Sequence, residues 1–172
     1  MSKSKTEVIN AFKDVTNELL ALLNSKGETQ LNLKPFEGSW SVAQVGEHLY
    51  KSYAFVEILN GHTKSTERPP DEKVAMGKAL FENFELKYKS SESISPSITP
   101  IEKEKLTSGL KKIIAQIIET VEKKDILLIC TDFAISQYGE FTGLEWVWFN
   151  IYHTRRHVQQ IKNIFSTLNS KK

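Results

Sequence analysis

The chain has 172 residues, 40% hydrophobic and 26% charged, which fits one globular domain spanning residues 1–172. Lys and Arg number 23 against 21 Asp and Glu, a formal net charge of +2, and this near-balance argues against a nucleic-acid partner, which selects a strong basic patch. The single cysteine, Cys130, excludes an internal disulfide framework, and with no apolar stretch near the length of a membrane span, no membrane partner is expected.

Met1 to Glu7 is polar and lacks the apolar centre of a signal peptide, so the expected compartment is the cytoplasm. Helix one is predicted from about Ser4 to Lys26, with Val8, Phe12, Val15, Leu19, Leu22 and Leu23 as its apolar stripe. Helix two is predicted from about Ser41 to Asn60, helix three from Thr99 to Lys124 and helix four from Thr142 to Leu168. Each start carries a capping box, in which a hydroxyl caps the third amide of the helix and an acidic or amide side chain reaches back. The four boxes are Ser4 with Glu7, Ser41 with Gln44, Thr99 with Glu102 and Thr142 with Glu145.

The connection from His62 to Ile98 is long and holds Pro69, Pro70 and Pro96, with a short helix predicted around Asp71 to Phe84. Antiparallel neighbours need only a few linking residues, so this connection suits a crossover that returns along the bundle. The stretch Ile126 to Cys130 reads either as an extension of helix three or as a short extended piece, and Cys130 as a small buried hydrophobe.

His153 and His157 form H-x-x-x-H on helix four, one turn apart on one face. Trp146, Phe149 and Ile164 share that side, while Leu144, Val147, Ile151, Val158, Ile161 and Phe165 line another. A helix apolar on two sides is buried on both, against the core on one and against another helix or a second subunit on the other. Histidines on a buried side need partners, either a metal or hydrogen bonds. His48 interrupts an inward stripe of helix two, as a hydrogen-bonded core residue or as a third ligand between two helices. His62 follows Gly61 and reads as a surface residue. The pair is not the H-E-x-x-H of metalloproteases, because Thr154 stands in the Glu position. Asn150 and Gln160 are placed to orient His153 and His157, Glu47 points away from His48, and Arg155 and Arg156 read as solvated or as attractors of an anionic cofactor.

Two blocks resemble the DinB-like (YfiT-like) family of metalloenzymes: Trp40-Ser41 with the helix carrying His48, and Gly139-Glu140-Phe141-Thr142 with Glu145-Trp146 and His153-Thr154-Arg155-Arg156-His157-Val158-Gln159-Gln160-Ile161. The resemblance implies an all-α, up-down-down-up four-helix bundle with a long crossover between helices two and three. It implies a divalent metal, zinc or nickel, held by His48, His153 and His157, and a homodimer acting on a small-molecule substrate. The family includes bacillithiol S-transferases and a mycothiol-dependent maleylpyruvate isomerase, so a low-molecular-weight thiol is an expected cofactor. Metal-dependent hydrolysis and a non-catalytic metal-binding dimer are the alternatives.

Overall fold

The structure, a computed structural model, describes residues 4–85 and 89–171. Helix α1, Lys5–Asn24, begins at Ser4, whose hydroxyl accepts the Glu7 amide at 3.1 Å. One turn of helix follows, α2, Glu28–Leu31. Helix α3, Val42–Ser52, has a complete capping box: the Gln44 amide donates to Ser41 Oγ at 3.2 Å, and Gln44 Oε1 accepts the Ser41 amide at 3.0 Å. The predicted second helix is in fact two, broken at Tyr53 and Ala54 and resumed as α4, Phe55–Asn60. Just before the break the Ser52 hydroxyl donates to the His48 carbonyl at 2.8 Å, a back-bond that bends helices.

The crossover contains α5, Val74–Glu82, close to its predicted span, and a single 3₁₀ turn, Glu92–Ile94. Helix α6, Lys103–Lys123, does not start from the predicted Thr99 box. The amides of Ile101 and Lys103 are instead taken by Asn32 Oδ1 at 2.9 Å and Glu28 Oε2 at 3.0 Å, side chains of the α2 segment. Helix α7, Gly143–Asn169, has the second complete box, between Thr142 and Glu145.

The expectation of an all-α chain needs correcting. Three short strands, β1 (Thr63–Lys64), β2 (Ile129–Ile135) and β3 (Gly139–Thr142), form an antiparallel sheet in the order β1-β2-β3. The undecided stretch is thus extended from Ile129, and the β2–β3 turn uses positive φ at Gln137 and Gly139, both 72°. Cys130 lies in β2, buried, and burial with the nearby Asp132 charge pushes its thiol up to about 11. It is a packing residue rather than a nucleophile.

Contacts between helices fix their directions. A Cβ on Gly46 would lie 3.0 Å from Leu106 and 3.3 Å from Leu23, one on Gly109 would lie 3.1 Å from Tyr50, and Asn60 donates to Thr120 at 3.4 Å. Positions 46, 50 and 60 therefore climb with 106, 109 and 120, so the second and third bundle helices run parallel. Phe12 packs on Tyr53 at 5.7 Å while Leu23 sits by Gly46, so α1 opposes α3. Glu7 acts on the Tyr152 phenol and Glu18 pairs with Lys162 at 2.5 Å, so α1 runs with α7. The order is up-down-down-up, as the long crossover requires.

Helix α7 is buried on both sides. Phe149 packs on Phe81 of α5 at 4.8 Å and on Phe141 of β3 at 5.7 Å, and Trp146 packs on Phe141 at 5.3 Å. The face that the sequence leaves open to a helix or a second subunit is covered by the chain's own α5 and hairpin. Among the described residues, no helix is long and apolar enough to cross a membrane.

Candidate metal centre

His153 and His157 project from one face of α7 toward α3, where His48 meets them. Their Nε2 atoms converge: His153 Nε2 is 3.0 Å from His48 Nε2 and 3.0 Å from His157 Nε2. His48 is buried, and His153 and His157 are half-buried. The Trp40 ring lies 5.1 Å from His48 and stacks at 6.5 Å on His157, and Phe81 lies 5.1 Å from His153.

The outer nitrogens decide the tautomers. His48 Nδ1–H donates to the Ile94 carbonyl at 2.8 Å, and His157 Nδ1–H donates to Gln160 Oε1 at 2.7 Å. Both rings therefore present a lone pair inward at Nε2. A proton on His153 Nε2 can satisfy one of these lone pairs and leaves the other without a donor. Charge on the rings is also suppressed. Burial lowers His48, helped by Lys51 and opposed by the Ile94 bond. Burial, then the facing imidazoles and Arg156, hold His153 well below its usual value. Burial and His48 push His157 down to about 3, against the Gln160 bond.

The donor set fits a divalent cation. Three imidazole nitrogens lie within 4.8 Å of one another, and tetrahedral ligands bound at about 2.0–2.1 Å stand about 3.3 Å apart. A cation would take up the lone pairs that too few protons leave unmatched, and neutral imidazole is the form that binds it. Three protein ligands leave one position free, the pattern of catalytic rather than structural sites.

The supports of this trio were only partly visible in sequence. Gln160 lies against His157 as expected. Asn150 is not hydrogen-bonded to His153: its amide donates to the Trp146 carbonyl at 3.0 Å. Thr154 has a role with no signal in the sequence. Its hydroxyl donates to the Asn150 carbonyl at 2.7 Å, so the Tyr53 hydroxyl, 2.8 Å away, must be the donor to Thr154 Oγ1. Tyr53 and Thr154 are both fully buried, and this bond sets the rotation of α7 against the end of α3. Glu47 receives the amide and hydroxyl of Ser97, at 2.5 and 2.9 Å. With Lys51 donating to the Ser95 carbonyl at 2.7 Å, it straps the crossover across α3 and so presents the Ile94 carbonyl to His48. Arg156 donates to the carbonyls of Phe81 and Asn83 at 3.3 and 2.8 Å, closing the end of α5. His62 stays on the surface, its ring 2.9 Å from Asp132.

A second cluster secures the start of α7. The Glu145 carboxylate, 1% exposed, receives the Arg68 guanidinium at 2.6 and 2.7 Å, the Lys73 amide at 2.8 Å and the Thr142 amide at 2.9 Å. Sequence reasoning gave Glu145 a capping role alone. Its contacts also anchor the segment leading into α5, which carries Phe81 to His153.

A mostly helical bundle with a histidine trio between its second and fourth helices is the class of protein defined here. The sequence matches the DinB superfamily over residues 11–161, and the chain belongs to that family. No curated protein matches it in sequence. Among solved structures it is similar to YfiT from Bacillus subtilis, described as a probable metal-dependent hydrolase with an unusual four-helix bundle topology. That likeness has a TM-score of 0.63 at 15% identity and covers 98% of this chain and 90% of the other, and it concerns the fold.

Proposed function

We propose that this chain is a metal-dependent enzyme in which His48, His153 and His157 hold one divalent ion, zinc or nickel, and that its reaction is an S-transfer using a low-molecular-weight thiol. One observation carries this reading: three buried or half-buried imidazole nitrogens face one another with too few protons to satisfy them. Neutral nitrogen ligands suit either metal.

Held by the three imidazoles, an ion would supply Lewis acidity, the chemistry that favours thiolate over thiol near neutral pH. The chain's residues do the rest. Ile94 and Gln160 hold the outer protons, fixing which nitrogen each ring offers. Trp40 and Phe81 screen the cluster from water on two sides. Among the described residues, no Asp or Glu joins the cluster, and the nearest acid in sequence, Glu47, is committed to Ser97. A nucleophile that needs no protein base is therefore favoured over one that does. Hydrolysis is the second reading, supported by the description that the similar fold of YfiT carries.

The test is elemental analysis of the purified chain beside His48→Ala and the double variant His153→Ala/His157→Ala. Roughly one ion per chain is expected in the parent and less than about a tenth of that in the variants, because each lost ligand costs orders of magnitude in affinity. Full metal content in either variant overturns the assignment. With metal fixed, turnover of an electrophile that depends on added thiol supports S-transfer, and thiol-independent ester or amide cleavage supports hydrolysis.

A further inference from the structure

Four polar side chains of α3 reach the same piece of the crossover. Gln44, Glu47, His48 and Lys51 share one face of the helix. Gln44 Nε2 donates to the Ser97 carbonyl at 2.8 Å, and Lys51 donates to the Ser95 carbonyl at 2.7 Å. Glu47 accepts the Ser97 amide at 2.5 Å and the Ser97 hydroxyl at 2.9 Å. His48 Nδ1–H donates to the Ile94 carbonyl at 2.8 Å. Among the described residues, these are the hydrogen bonds that tie residues 91–97 to the rest of the chain, and those remaining close the segment's own turn. No strand ladder holds the Ile94 carbonyl in place. It is held through its neighbours, and Glu47 grips Ser97 with both oxygens.

His48 has two places for its one proton. On Nδ1 the proton serves the Ile94 carbonyl and leaves Nε2 bare toward His153. On Nε2 it would supply the donor that the trio lacks, and the Ile94 carbonyl would lose its partner. These are tautomers of one neutral ring, and the bond at the outer nitrogen decides between them. Only the first offers a nitrogen that a cation can take without expelling a proton. His157 does not share this dependence, because Gln160, three residues further along the same helix, holds its Nδ1 at 2.7 Å.

We propose that Glu47 is a positioning residue of the metal centre. By fixing Ser97 it keeps the Ile94 carbonyl on His48 Nδ1, and so keeps His48 Nε2 free of a proton and open to the ion. A carboxylate suits this task, since its two acceptor oxygens match the amide and the hydroxyl of a single residue. The proposal rests on the metal reading above, but the tautomer it concerns is present in the chain without metal.

The test is nitrogen NMR of the imidazoles in the metal-free chain, beside zinc competition against a chromophoric chelator. In the parent, His48 is expected to carry its proton on Nδ1. Glu47→Ala should move that proton toward Nε2, leave His157 as it was, and weaken zinc by about 10–100-fold, the usual loss when a ligand's outer partner is removed. Glu47→Gln keeps an acceptor for the amide and a partner for the hydroxyl, so it should restore both readouts. Circular dichroism checks that the variants are folded. Should Glu47→Ala not fold, Ser97→Ala, which deletes one of the two bonds, carries the same comparison with a smaller shift. The proposal is overturned if Glu47→Ala keeps the parent's His48 tautomer or its zinc affinity, if His157 changes as much as His48, or if Glu47→Gln restores neither readout. A parent that takes up no zinc sinks the metal reading instead, and the tautomer comparison still decides whether Glu47 sets His48.

Discussion

Helix α7 carries two polar clusters that solve the same problem in opposite ways. Near its start, Glu145 is a buried carboxylate with every acceptor direction used, by a two-pronged guanidinium and two backbone amides. At its middle, His153 and His157 join His48 in a cluster whose outer nitrogens on His48 and His157 are bonded and whose inner nitrogens have one proton too few to match them all. The first cluster is complete without any ligand. The second is incomplete in the protein alone, and the proposed metal site rests on that difference. Complete satisfaction identifies structure, and designed incompleteness identifies function.

The sharpest test of this contrast is Glu145→Ala. It strands the Arg68 guanidinium and two amides and should cost about 3–5 kcal/mol of unfolding free energy in urea titrations. A loss under about 1 kcal/mol would remove Glu145 from its anchoring role. The histidine cluster should reveal itself through pH in the metal-free chain. His157 is depressed to about 3 in the fold against 6.5 when unfolded, so the unfolded chain takes the proton first as pH falls. Stability is therefore intact above pH 6.5 and declines below it by about 1.4 kcal/mol per pH unit for this group, until pH nears 3. Urea midpoints between pH 7 and pH 4 measure that slope, and His157→Gln should flatten it. The smallest effect is expected from His153→Leu in the metal-free chain. Removing the nitrogen that faces two others should change stability by no more than about 1 kcal/mol, while metal binding is abolished. A loss of several kcal/mol there would make the trio structural and erase the distinction.

How much of this was legible in the sequence depended on distance along the chain. Local rules succeeded where capping is local, at Ser4, Ser41 and Thr142. They failed at Thr99, because the amides that open α6 are capped by Asn32 and Glu28, some seventy residues earlier. The strands escaped because β1 has two residues and β2 pairs across a bulge, too little alternation to register as a period of two. The histidine pair on α7 could be read from spacing. His48 could be joined to it only through the family resemblance, since its contact spans 105 positions. The Tyr53–Thr154 bond and the Arg68–Glu145 pair were beyond reach for the same reason, as neither has a sequence period to announce it.

That span of 105 positions has a consequence in polymer terms. With a lone buried cysteine, the chain has no disulfide with which to shorten its unfolded excursions. An ion shared by His48 and His153 would tie the loop between them, enclosing the whole crossover, α6 and the sheet. In a covalent link, closing a loop of this size is worth about 4–5 kcal/mol in lost denatured-state entropy. Here the tie would be reversible, made and unmade by the metal supply, so the same ion that readies the site for chemistry would also act as a removable cross-link on the chain.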